Sequence, residues 1–121
     1  MGSRMETKKI SLRYEQDDDI LYVTFGNAGR KGMGVNLHEN ILLRFDRHTA
    51  EPLGLTLIDY SKLKDLSSLP LHDLSTFPED LKQILQRVLL TEPVQRFLEV
   101  DSISWRNLNV VNPTMARALA A

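Results

Sequence analysis

Between residues 10 and 60, apolar side chains recur at every second position: Ile10, Leu12 and Tyr14, then Leu21, Val23 and Phe25, then Met33, Val35 and Leu37, then Ile41, Leu43 and Phe45, then Leu53, Leu55 and Leu57. In an extended chain successive side chains point to opposite faces, so this period marks strands with one buried face. The first run carries Lys9, Ser11, Arg13 and Glu15 on its other face, whereas residues 19–25 are apolar on both, as suits a central strand. Gln16-Asp17-Asp18 and His38-Glu39-Asn40 supply turn chemistry, and a looser Gly26-Asn27-Ala28-Gly29-Arg30-Lys31-Gly32 joins the second run to the third. Connections this short predict an up-and-down antiparallel meander of about five strands.

From residue 61 the period changes. Residues 61–75 read as a connector with weak helical turns around Leu63 and Leu66, interrupted by Pro70. Thr76-Phe77-Pro78-Glu79 has the form of a capping box and predicts a helix over 76–91. Its Leu81, Ile84, Leu85, Val88 and Leu89 form a stripe that can cover one sheet face, with Lys82, Gln83, Gln86 and Arg87 turned outward. Residues 92–121 are mixed. Val94, Phe97 and Leu98 fit a short helix, the stretch ending in Ile103 and Trp105 reads as extended, and Asn112-Pro113 opens a short terminal helix. The predicted class is therefore α+β: an antiparallel meander, one amphipathic helix packed on a face and a short mixed C-terminal segment.

With 121 residues and 42% apolar content, one domain over 5–121 is expected, the opening Met1-Gly2-Ser3-Arg4 being set aside as an expression remnant. Fifteen basic against sixteen acidic residues leave no global field for a nucleic-acid backbone or an anionic membrane. The absence of cysteine excludes disulfides, thiolate metal sites and a thiol nucleophile. Without a long apolar run or a signal-peptide pattern, the expected location is the cytoplasm.

Laid out in this way, Tyr14-Glu15, Ile20-Leu21-Tyr22-Val23, Asn40-Ile41-Leu42-Leu43-Arg44-Phe45-Asp46 and Leu53-Gly54-Leu55-Thr56-Leu57-Ile58-Asp59 resemble a family of small, mostly bacterial proteins catalogued as domain of unknown function 2283. The resemblance covers roughly the first half of the chain. It departs at Thr56, where the family usually carries an acidic residue, and at Arg47-His48-Thr49, where it tends to Asp and Gly. It implies a compact antiparallel sheet and an antitoxin-like role beside a small toxin, and it brings no catalytic residues, cofactor or metal.

Two surfaces carry the candidate chemistry. At one end of the sheet, the turn at Asp17, Asp18 and Asp19 and the turn at His38 and Glu39 come within about 5 to 10 Å if the second and third strands pair. Asp18, Asp19, His38 and Glu39 would then suit a small ligand or a divalent cation. His48 lies a strand length away, about 23 Å, and falls with Arg30, Lys31 and Arg47 at a small basic corner. The glycines of that loop lack the Gly-Lys-Ser/Thr ending of a phosphate-binding loop. No Ser or Thr falls in a recognisable arrangement with a His and an acid, so catalysis is the weaker class. Phe97 and Trp105 read as core fillers. The second surface is the outward sheet face, where Ile20, Tyr22, Leu42 and Ile58 interrupt the polar pattern above Gly34 and Gly54. One helix covers one side of a sheet, so these four meet either residues 94–121 or a second protein chain, another copy or a small partner.

Overall fold

A computed structural model of the chain describes residues 9–27, 29–66 and 68–111. Residues 1–4 and the expected terminal helix after Asn112 lie outside that range. Five strands form the main sheet: β1 (Ile10–Glu15), β2 (Ile20–Phe25), β3 (Met33–His38), β4 (Ile41–Asp46) and β5 (Glu51–Ile58). All neighbours are antiparallel, and their order is β1-β2-β5-β4-β3. The α+β class and the antiparallel sheet are those the periodicity predicts. What differs is the placement of β3. The loop over 26–32 carries the chain across one end of the sheet to the far edge, and β5 returns to fill the gap between β2 and β4.

Named contacts hold the crossing loop. The Arg30 guanidinium pairs with Glu51 at 2.9 Å and with Asp46 at 3.7 Å, and the Arg30 carbonyl accepts from the Arg44 guanidinium at 2.7 Å. Gly32 lies so close to β4 that a Cβ there would come within 2.6 Å of the Phe45 carbonyl oxygen. The β4–β5 turn is closed by the Asp46 carboxylate, which accepts from the His48 and Thr49 amides and is held below the ordinary carboxylate range chiefly by the first of these.

After α1 (Tyr60–Leu63), the second half builds a separate small sheet in the order β6 (Leu69–Pro70), β8 (Asn107–Val110), β7 (Leu98–Val100), with helices α2 (Glu79–Leu89) and α3 (Glu92–Gln95) between β6 and β7 in the chain. Helix α2 starts three residues later than expected, and the capping box does not form. Asp73 instead caps the turn before the helix: its carboxylate accepts from the Ser75 amide and hydroxyl and fixes a 3-10 turn over Leu74–Thr76. Pro78 then forces Phe77 into an extended conformation, so the helix begins beyond it. The expected stripe holds, with Leu81, Leu85, Val88 and Leu89 buried and Ile84 half-buried.

The stretch before Trp105 is a turn, where an extended segment was expected. Asp101 accepts from the Ile103 and Ser104 amides and from the Ser104 hydroxyl, and Trp105 takes a left-handed conformation at φ 57°. The chain reverses, and Leu98, Glu99 and Val100 pair with Val110, Asn109 and Leu108.

One continuous core joins the two sheets and α2, with Phe25 of β2 and Phe97 packed at 6.1 Å between ring centroids. No polar side chain is buried among the described residues. The burial of Val94, Phe97, Leu98, Leu108 and Val110 in this cluster places the described C-terminal segment on the same side of the main sheet as α2.

Candidate functional site

The strand order assembles the outward face row by row. Ile20 of β2 faces Ile58 of β5. In the next row Arg13, Tyr22, Thr56, Leu42 and Asn36 lie side by side across all five strands, and in the third Thr24, Gly54 and Arg44 are neighbours. Ile20, Tyr22, Leu42 and Ile58 therefore converge on three adjacent strands. Ile58 is 39% exposed and the other three are half-buried by their neighbours. The Arg13 guanidinium stacks over the Tyr22 ring at 4.2 Å from its centroid, close enough for cation–π attraction. Gly54 floors a shallow dip of about 180 Å³ between Tyr22 and Arg44. Its backbone lies so near β2 that a Cβ would meet the Val23 carbonyl oxygen at 2.9 Å. Of the two coverings open to this face, the described part of the C-terminal segment packs on the opposite one.

The quartet Asp18, Asp19, His38 and Glu39 is placed at one end of the sheet, but β5 and β4 stand between β2 and β3. Three strand spacings, about 14 Å, then separate the two turns, and the corner from β5 to α1 occupies the space between them. Asp19, left-handed at φ 55°, accepts the Tyr60 amide on its carbonyl. Its carboxylate accepts the Ser61 hydroxyl at 2.6 Å, the Ser61 amide at 3.1 Å and the Tyr14 hydroxyl at 2.7 Å. The Ser61 bond, then the Tyr14 bond, holds this carboxyl below its ordinary range, and the Tyr14 phenol is pushed up in return. On the other side, the Asn40 side-chain Nδ2 donates to the Ile58 carbonyl and the Asp59 carboxylate, while His38 Nδ1 accepts from the Asn40 backbone N–H of its own turn at 3.0 Å. These polar groups tie three chain segments together. Among the described residues no three His, Asp or Glu side chains are grouped to hold a metal ion.

The two arginines of the basic corner are likewise committed, Arg30 to Asp46 and Glu51 and Arg47 to Asp80 at 3.1 Å. Two larger open clefts flank the small sheet. The first, of about 640 Å³, is lined by Gln95, Glu99, Asp101 and Asn107, and the second, of about 530 Å³, by Asp73, Lys82, Trp105 and Arg106. Neither was legible in the sequence, because both depend on the Asp101–Trp105 reversal. Nor was the exposure of Leu12 and Tyr14. The alternation assigns both to the dry face, yet they stay 45% and 47% exposed, because that face of β1 reaches past the core.

Among the described residues no helix is long and apolar enough to cross a membrane. Comparison with protein-family models, with curated proteins and with solved structures yields no match.

Proposed function

We propose that this protein is a small non-enzymatic interaction module whose contact surface is the outward face around Ile20, Tyr22, Leu42 and Ile58. One observation carries the reading: the described second half of the chain packs on the opposite side of the sheet, leaving four large apolar side chains together on a face of known register. A face of this composition is favourably buried against another protein surface. The first occupant is a second copy of the chain, whose identical face meets it about a two-fold axis. The antitoxin-like version, in which a small toxin takes that place, is supported by the family resemblance alone.

The test is the solution mass of wild type, Tyr22→Lys and Leu42→Lys by light scattering across a dilution series. Both positions are on a wet face, so the lysine ammonium reaches water and each variant should still fold. The expected result is an assembly in the wild type that each lysine breaks by half. Unchanged mass and solubility in both variants would mean that this face does not hold the assembly together.

A further inference from the structure

The two edges of the main sheet are managed differently. Edge strands expose unpaired amides and carbonyls, and proteins blunt them with bulges, prolines, inward charges or a covering segment. The β3 edge has such protection: a bulge between Asn36 and His38 disturbs its ladder, and the Leu37 carbonyl accepts the His72 amide at 2.8 Å. Among the described residues the β1 edge has no bulge, proline, inward charge or covering segment, and only the outward charges of Lys9, Arg13 and Glu15 guard it. Its register with β2 runs unbroken from Ile10 to Glu15, it contains no proline, and its charges lie on the outward face.

The direction of the free backbone groups follows from a single bond. The Lys9 carbonyl accepts the Gly26 amide, so Lys9, Ser11, Arg13 and Glu15 bond toward β2. Ile10, Leu12 and Tyr14 therefore aim their amides and carbonyls away from the sheet. The same stretch is self-complementary when reversed about Leu12. Lys9 falls opposite Glu15 of the second strand, Ile10 opposite Tyr14, Ser11 opposite Arg13 and Leu12 opposite Leu12. The pairs of Ile10 with Tyr14, of Leu12 with itself and of Tyr14 with Ile10 are those with outward backbone groups, so each can exchange two ladder bonds. The half-exposed Leu12 and Tyr14 side chains come together on one face, and on the other Lys9 reaches a Glu15 that already pairs with Arg13 of its own chain.

We infer that two copies of this chain pair antiparallel along β1, in register about Leu12, to form one continuous sheet. The two-fold axis stands perpendicular to the sheet, so this contact is separate from the outward face and leaves it open in both copies. The inference does not depend on the outward face being an interface.

The experiment measures solution mass across a dilution series for wild type, Leu12→Pro, Glu15→Lys and Lys9→Glu/Glu15→Lys, with Tyr22→Lys alongside. Proline at position 12 removes an amide that points away from β2, and so spares the β1–β2 ladder. Should that variant fail to fold, the charge variants carry the test. Glu15→Lys sets two lysines opposite each other at both ends of the pairing, and should raise the dissociation constant about tenfold, while the double exchange should restore it. The expected result is a wild-type assembly whose mass is halved by Leu12→Pro, weakened by Glu15→Lys and recovered by the double exchange. A wild type that is monomeric throughout would overturn the inference, as would an assembly untouched by Leu12→Pro and Glu15→Lys. An assembly broken only by Tyr22→Lys would overturn it too while supporting the outward-face reading. One broken only by the β1 variants would do the reverse.

Discussion

Phe97→Ala tests whether the two sheets share one core. The Phe97 side chain is 6% exposed and packs on Phe25, itself 1% exposed, so truncation removes a ring from a closed interior. The surroundings cannot collapse easily, since one wall is the main sheet and the other the small sheet with α2. Such a change typically costs about 4 kcal/mol, combining lost transfer energy with the cavity left behind. A chain of 121 residues has a total stability of about 6 to 18 kcal/mol at the usual range per residue. The variant should therefore fold but lose a large share of its margin. With an unfolding entropy of about 0.25 kcal/mol/K for this length, the melting temperature should fall by about 16 °C. Urea unfolding at fixed protein concentration provides the assay, read by far-ultraviolet circular dichroism and by the fluorescence of Trp105, the single tryptophan, half-buried in the small sheet's turn. Both probes should report one transition, displaced equally in the variant. A loss below about 0.5 kcal/mol, the size expected of a surface site, would refute the shared core, and so would a fluorescence transition that separates from the dichroism.

Further outcomes follow from the carboxylates and the glycines. Asp19→Asn should lower the melting temperature and speed hydrogen exchange at the Tyr60 and Ser61 amides, because the carboxylate that accepts from Ser61 and Tyr14 is lost. Its folded-state pKa lies below the unfolded value, so its stabilisation is complete above the unfolded pKa and is lost as pH falls through the folded one. Asp46, Asp73, Asp80 and Asp101 shift the same way, the first through the His48 amide, the others through Ser75, Arg47 and Ser104. The melting temperature of wild type should thus decline below the ordinary Asp range near pH ~4, and Asp19→Asn should decline less steeply; parallel curves would show that Asp19 adds nothing. Gly32→Ala should cost about 1 to 3 kcal/mol in chemical denaturation, since its Cβ meets β4 backbone at 2.6 Å. Gly34→Ala, whose Cβ would meet the Leu42 side chain at 3.6 Å, should stay near neutral, and equal costs would count against the crossing-loop packing.

The strands and α2 were legible because each repeats an apolar position often enough to fix its period, from Leu21, Val23 and Phe25 to Leu81, Leu85 and Leu89. Strand order was not. Periodicity gives the facing of each strand but says nothing about which edges meet, and the loop over 26–32 reads equally as a hairpin connection or a crossing. That single ambiguity undid the grouping of Asp18 and Asp19 with His38 and Glu39, whereas the outward cluster survived because Ile20, Tyr22, Leu42 and Ile58 share a face under either order. The turns held by Asp73 and Asp101 were missed for a different reason. An Asp with a Ser two or three residues on is common, and only backbone geometry shows that the carboxylate takes both the amide and the hydroxyl.

The late arrival of β5 also bears on how the chain reaches this structure. As the polypeptide is made, β1–β2 and β3–β4 can each close as local hairpins, but both offer open ladders until residues 51–58 emerge and insert between them. Short hairpins are marginal on their own. Nucleation should therefore wait for the central strand, with its contacts to β2 some thirty residues away setting the folding barrier, and the interval before β5 is available is when the nascent chain is most exposed to aggregation.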